Sequence, residues 1–156
     1  MVSRHLPTSR IVRGAARLPG ARVLRRAWRL AGRGDLAALR TAYWALRARQ
    51  RVRRQLLVGG LDAVRLPDPP AGSTGLDRTP VVHAVLRTVG ASCLERALVR
   101  QRWYAGRRVS RVLVVGVTAP SDGFHAHAWL DGDPDDAPDG MVELLRRPPP
   151  PAWLEV

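Results

Sequence analysis

The chain has 156 residues and a formal net charge of +13 at pH 7, and this length suits one domain with one hydrophobic core. Hydrophobic residues make up 46% of it, which excludes wholesale disorder, and no stretch of 18 residues lacks a charge, which excludes a transmembrane helix. The single cysteine, Cys93, has no partner for an internal disulfide, and this predicts a cytoplasmic protein.

The positive charge is concentrated near the amino terminus. Residues 1–55 hold 15 arginines and one acidic residue, whereas residues 118–156 hold two arginines and eight acidic residues. Such a segment suits an acidic membrane surface, an acidic partner or RNA, but charge runs most often form solvated faces. Aromatic residues are only 5% of the chain and no RNA-reading motif accompanies the arginines, so we expect no nucleic acid. A non-enzymatic arginine-rich binder of membranes or RNA stays as an alternative.

Residues 1–66 are predicted to form a basic helical region. Apolar residues recur at helical spacing in residues 23–30, and a longer amphipathic helix is predicted to begin after Asp35 as N-cap and to end at Gly59-Gly60. Residues 67–80 combine proline, glycine and small polar side chains, which is typical of a linker.

Residues 81–147 carry the motifs of a catalytic core. A short helix is predicted from Val81 to Val89, and the sequence Ser92-Cys93-Leu94-Glu95 matches a capping box, so a second helix should begin at Cys93 and end near Gly106. The amides of a first helical turn favour negative charge, and therefore a thiolate at Cys93.

Three strands are predicted after this helix: Ser110 to Val117, Phe124 to Asp131, and Gly140 to Leu145. The second alternates regularly, with His127 on the face opposite Ala128. Residues 148–156 begin with a proline run and should form an extended tail. The predicted fold class is α+β, with amino-terminal helices and a nucleophile at a helix N-terminus packed on a small antiparallel sheet.

A catalytic base for Cys93 must come from the four histidines of the chain, which are His5, His83, His125 and His127. The first lies in an arginine-rich arm, and the second should face solvent on the helix before Cys93. The remaining pair has a spacing that also suits metal ligands, but a zinc site needs further ligands and only one cysteine exists. We therefore expect no metal, and the choice falls on the paired histidines.

Three segments together resemble a known family. They are ASCLERAL at Ala91–Leu98, LVVGV at Leu113–Val117, and GFHAHAWL at Gly123–Leu130. In this order they resemble the transglutaminase-like cysteine peptidases of lasso-peptide biosynthesis, over roughly residues 81–145. The resemblance implies a transglutaminase/papain-like fold and a leader peptidase, with Cys93 as nucleophile and His127 as base.

The resemblance implies a catalytic triad, whose third member is an aspartate after the histidine. Five aspartates fall in the window, at positions 131, 133, 135, 136 and 139. Asp139 is the first choice, because it opens the next strand, and an antiparallel return about a turn near Asp133 would bring it opposite His127. Asp136 is the second choice.

The resemblance also implies partners. These are the precursor peptide, a separate leader-binding protein and a lasso cyclase, and the basic helices before Pro67 are expected to meet one of the two proteins or a membrane surface. No cofactor is expected. The amide of Cys93 would be one oxyanion donor, while its companion is not identified. An acyltransferase or transglutaminase that uses the same thioester stays as an alternative.

Overall fold

In a computed structural model, the described residues are 35–71, 77–118, 123–133 and 140–149. They form three α-helices, a one-turn 3-10 helix and three strands, which confirms the α+β class. The helices are α1 (Leu36–Gly59), α2 (Thr79–Thr88) and α3 (Cys93–Ala105), with the 3-10 helix at Leu61–Ala63, and the strands are β1 (Leu113–Thr118), β2 (Ala126–Leu130) and β3 (Met141–Arg147).

Helix α1 begins and ends at the predicted residues. The Asp35 carboxylate accepts a hydrogen bond from the Ala38 amide at 3.0 Å, and this bond, with the nearby Arg78 guanidinium, lowers the pKa of Asp35. The helix ends where Gly60 has a φ of 66°, a left-handed conformation that glycine adopts without strain. The helix predicted for residues 23–30 lies outside the described residues.

One hydrophobic core joins all three helices to the sheet. Along α1 most of the residues that face this core are small, with Trp44 as the large exception, and the small ones are Ala38, Ala42, Ala45, Ala48 and Val52. Small side chains let α2 and α3 approach closely, and the Trp44 and Trp103 rings meet with centroids 5.6 Å apart. Helix α1 therefore belongs to the same core as α3. Helix α2 begins within the predicted linker 67–80, and the proposed division of the chain at that segment stays a prediction.

The sheet has the strand order β2-β1-β3, and both neighbours are antiparallel to β1. One face carries Leu113 of β1 with Ala128 and Leu130 of β2, all of which are buried in the shared core with the helices. The opposite face carries His127 and Trp129, as the alternation predicted. Among the described strands, β2 and β3 are the edges.

The predicted hairpin between the second and third strands is wrong. Strand β3 pairs with β1, on the side away from β2, and Met141 is the partner of Thr118. Since both outer strands are antiparallel to β1, they run parallel to each other, and parallel strands cannot be joined by a tight turn. The ten residues from 131 to 140 connect them instead. No described helix is long and apolar enough to cross a membrane.

Gly116 lies under the Trp129 ring in the middle of the sheet. A Cβ at this position would be 2.8 Å from Trp129 Cη2 and 3.0 Å from the Val142 carbonyl oxygen. We expect Gly116→Ala to lower the free energy of unfolding by about 1–3 kcal/mol, because a rigid ring and a backbone atom must both move. Urea unfolding measures the loss. In a double-mutant cycle with Trp129→Phe, the smaller ring should reduce it, and equal losses in both backgrounds would contradict this account of the packing.

Candidate active site

Cys93 is the first residue of α3, where the sequence predicted it. The capping box is complete: the Glu95 amide donates to Ser92 Oγ at 3.2 Å, and the Ser92 amide donates to Glu95 Oε2 at 3.0 Å. The Cys93 amide is among the first-turn amides that have no partner inside a helix. The Cys93 side chain is half-buried against the core. The predicted start of α3 at Cys93 is therefore confirmed.

The capping box is also tied to α1, which the sequence did not predict. Arg49 Nε donates to Glu95 Oε2 at 3.1 Å, and both side chains are mostly buried. Glu95 thus accepts hydrogen bonds from the Ser92 amide and from the guanidinium at once. Arg49 differs from its exposed neighbours Arg47 and Arg51 only by facing inward. This contact fixes the start of α3, and therefore the position of Cys93, against the longest helix.

Helix α3 packs along β2 more extensively than along β1. The two elements are pinned together at one end, where Arg100 forms an ion pair with Asp133, just after β2. Cys93 lies seven residues before Arg100, which is about 10 Å along a helix. His127 lies three residues before Leu130, which is also about 10 Å along a strand. This geometry indicates that Cys93 and His127 lie towards the same end of the molecule.

The His127 ring lies on the sheet face opposite the helices. It stacks on the Trp129 ring, with centroids 6.3 Å apart and an interplanar angle of 16°, and its register partner is Gly116. Within the part of the chain that the structure describes, no hydrogen bond joins the imidazole to the Cys93 thiol. His127 is the second residue of β2, which is an edge strand of the described sheet.

Two of the five candidate aspartates are committed to other contacts. Asp131 Oδ2 accepts a hydrogen bond from Arg146 Nη1 at 2.8 Å, and it follows His127 by four residues, or about 13 Å of extended strand. Asp133 is buried and bound by Arg100 and Tyr104. Neither carboxylate is placed to orient the His127 imidazole.

Asp139, Asp136 and Asp135 lie outside the described residues, so their roles stay predictions. The flanking structure does constrain them. Met141 pairs with Thr118, which is two residues beyond Gly116, the partner of His127. Strand β3 therefore begins at the end of the sheet where His127 lies, although β1 separates β2 from β3.

Among the described acidic residues, Glu143 lies level with His127 across the sheet. It pairs with Gly116, the register partner of the histidine, but its carboxylate is bound by Arg146, with Oε2 to Nε 2.7 Å and Oε1 to Nη2 2.9 Å. Those bonds lower the pKa of Glu143. A carboxylate held in this way by a guanidinium has little capacity left to orient an imidazole.

Arg100, Asp133 and Tyr104 form a buried polar cluster between α3 and the end of β2. The Tyr104 hydroxyl donates to Asp133 Oδ2 at 3.2 Å, and burial raises the pKa of this phenol, so it keeps its proton at neutral pH. The sequence gave no signal for the cluster, because Arg100 is one of 26 arginines and its inward orientation depends on the tertiary packing.

The other three histidines are not part of the proposed Cys93–His127 pair. His125 is exposed two residues before His127, and His83 is half-buried on α2 rather than exposed as expected. His5 lies outside the described residues. In the described ranges, no group of three or more histidine, cysteine, aspartate or glutamate residues is disposed to hold a metal ion.

Comparison with known families gives one match. A profile described as "Transglutaminase-like superfamily" matches residues 20–144, which is most of the chain. The match covers α1, all of the segment 67–80, and the whole region from α2 to the start of β3, including Cys93 and His127. Searches of curated proteins and of solved structures each gave no significant match.

Proposed function

Because the chain belongs to the transglutaminase-like superfamily, whose members are typically cysteine-dependent enzymes, we propose that it is a cysteine peptidase that removes the leader from a lasso-peptide precursor. The observation that carries the proposal is the placement of Cys93 as the first residue of a helix whose capping box is complete. The fold alone supports thioester chemistry. The peptidase outcome and the lasso-peptide substrate are supported by the three ordered motifs around Cys93, Gly116 and His127.

In the proposed reaction, the Cys93 thiolate attacks the carbonyl carbon of the peptide bond at the leader junction. The new sulfur–carbon bond gives a tetrahedral oxyanion, which the Cys93 amide stabilises. The carbon–nitrogen bond then breaks, and His127 protonates the departing amine of the core peptide. A water molecule that His127 deprotonates attacks the thioester and regenerates the thiol. The net change is one water consumed and one peptide bond hydrolysed.

An aspartate that accepts a hydrogen bond from the imidazole would fix its tautomer and stabilise its charged form. We assign this role to Asp139, and to Asp136 as second choice. Asp139 is supported by the position of Met141, two residues later, at the end of the sheet where His127 lies. The proposal also requires a conformer, populated in the free protein, in which the His127 ring has left its stack on Trp129.

The proposal implies a separate leader-binding protein and a lasso cyclase as partners. Its test is incubation of the protein with a lasso precursor peptide and that leader-binding protein, followed by mass spectrometry of the products. We expect free leader and free core peptide, whose masses together exceed the precursor by one water. Absence of any cleavage with both components present would contradict the proposal.

Product masses also separate peptidase from acyltransferase. If the thioester passes to an amine instead of water, the leader fragment carries the added mass of that amine, and no leader acid forms. We expect the leader acid even with glycine methyl ester present as a competing amine. A leader that appears only as the amide would favour the acyltransferase.

A further inference from the structure

A cleft of about 800 Å³ lies along α1, on surface that the proposed catalytic steps do not use. Its floor is an exposed strip of the helix and its wall is the segment from Pro67 to Pro70. Four arginines line it: Arg40, Arg47, Arg51 and Arg54. All four are exposed, and none forms an ion pair with a carboxylate of the described residues.

The wall of this cleft is held in place by specific contacts. Trp44 Nε1 donates to the Pro67 carbonyl oxygen at 3.3 Å, and Arg102 forms an ion pair with Asp68. Gly106 leaves only enough room for Pro69, because a Cβ there would be 2.7 Å from the proline ring. The wall of the cleft is therefore held in place by α1 and α3, while exposed arginine side chains form its floor.

The charge inside the cleft is strongly positive. Helix α1 contains no acidic residue, and Asp68, the one carboxylate in the lining, is bound by Arg102. Concave surfaces of one sign focus the electrostatic potential. The guanidinium fork binds carboxylates with two parallel hydrogen bonds. The lining therefore favours an anionic ligand with several separated charges.

We propose that this cleft docks an extended acidic segment of the peptide substrate. Arg40 to Arg54 spans 14 residues of helix, or about 21 Å, which about six residues of extended peptide would cover. Assigning the segment to the substrate rests on the proposed peptidase function, whereas binding of an acidic peptide does not.

The chemistry of the lining favours peptide over RNA. RNA recognition uses several free aromatic faces for base stacking. Trp44 is only 7% exposed, so Tyr43, which is 59% exposed with the Arg47 guanidinium 6.0 Å from its ring centroid, is the single accessible aromatic ring of the lining. A membrane surface is disfavoured because interfacial helices bury an apolar face in the lipid, whereas the apolar face of α1 packs in the protein core.

The test is binding of a fluorescein-labelled octapeptide of alternating glutamate and leucine, measured by anisotropy with the catalytically silent Cys93→Ala protein. Arg47→Gln with Arg51→Gln should raise its Kd at least about tenfold. The control is Arg53→Gln with Arg87→Gln, which removes the same charge from exposed arginines outside the cleft and should change Kd less than about twofold. Melting temperatures verify that both proteins are folded.

Three results would overturn the proposal. The first is an equal rise of Kd in both double variants, and the second is equal binding of a peptide in which glutamine replaces glutamate. The third is tighter binding of a single-stranded RNA decamer or of phosphatidylglycerol vesicles, if the cleft variant selectively loses that binding. With active protein and a precursor that carries an acidic segment, the cleft variant should raise KM with kcat unchanged. Loss of cleavage in Cys93→Ala tests the peptidase function separately, so the two proposals can fail independently.

Discussion

Replacing Cys93 by alanine should lower kcat/KM for precursor cleavage by at least about 10,000-fold, because no other thiol exists in the chain to form the acyl-enzyme. His127→Ala should cause a loss of similar size. Since nucleophile and base act as a unit, the double variant should be no worse than either single variant. Initial rates from the mass-spectrometric assay measure all three.

The control for this series is His125→Ala. His125 is exposed two residues before His127, and its backbone amide, not its ring, donates to Thr118 Oγ1 at 3.0 Å. Removal of its side chain should leave kcat/KM within about twofold of the parent protein, because surface substitutions away from catalytic and buried groups usually have small effects. If His125→Ala abolished cleavage and His127→Ala did not, the assignment of the base would be wrong.

Removing the carboxylate of Asp133 should cause the largest loss of stability. Asp133→Ala removes the ion-pair partner that Asp133 provides to Arg100, a residue only 5% exposed, and breaking one side of a buried pair costs about 3–5 kcal/mol. Such a loss is a large fraction of the free energy of unfolding of a domain, which is usually about 5–15 kcal/mol. Urea unfolding followed by tryptophan fluorescence measures it.

Asp131→Ala is the matched control, since Asp131 also binds one arginine but is half-exposed with it. Its loss should cost less than about 1 kcal/mol. The double variant Arg100→Met with Asp133→Leu should recover most of the stability, because an apolar pair can replace a buried ion pair. Equal costs for Asp131→Ala and Asp133→Ala would contradict the view that the buried cluster pins α3 to β2.

The sequence predicted the local features of this site well. The capping box at Ser92 and Glu95, the end of α3 near Gly106, and the alternation that places His127 opposite Ala128 all depend on neighbouring residues. Such patterns are readable because each rests on one turn of helix or one repeat of a strand. The structure confirms all three, although β1 begins three residues after the predicted Ser110.

The long-range features were not predictable in the same way. The order β2-β1-β3 depends on which edge of β1 the strand after residues 131–140 pairs with, and loop composition does not specify that choice. Arg49 and Arg100 are buried, yet their neighbours along the chain resemble those of solvated arginines. In a protein whose basic residues are all arginine, sequence does not distinguish a structural guanidinium from a surface one.

The central claim is that Cys93 and His127 act as a pair, and alkylation of the single cysteine tests it without a known substrate. We expect iodoacetamide to modify Cys93 at pH 6 at least about tenfold faster than free cysteine, because a paired histidine that accepts the thiol proton leaves the sulfur nucleophilic. His127→Ala should remove this advantage and His125→Ala should retain it. If the rate at pH 6 were the same in the parent protein, His127→Ala and free cysteine, the pair would not exist.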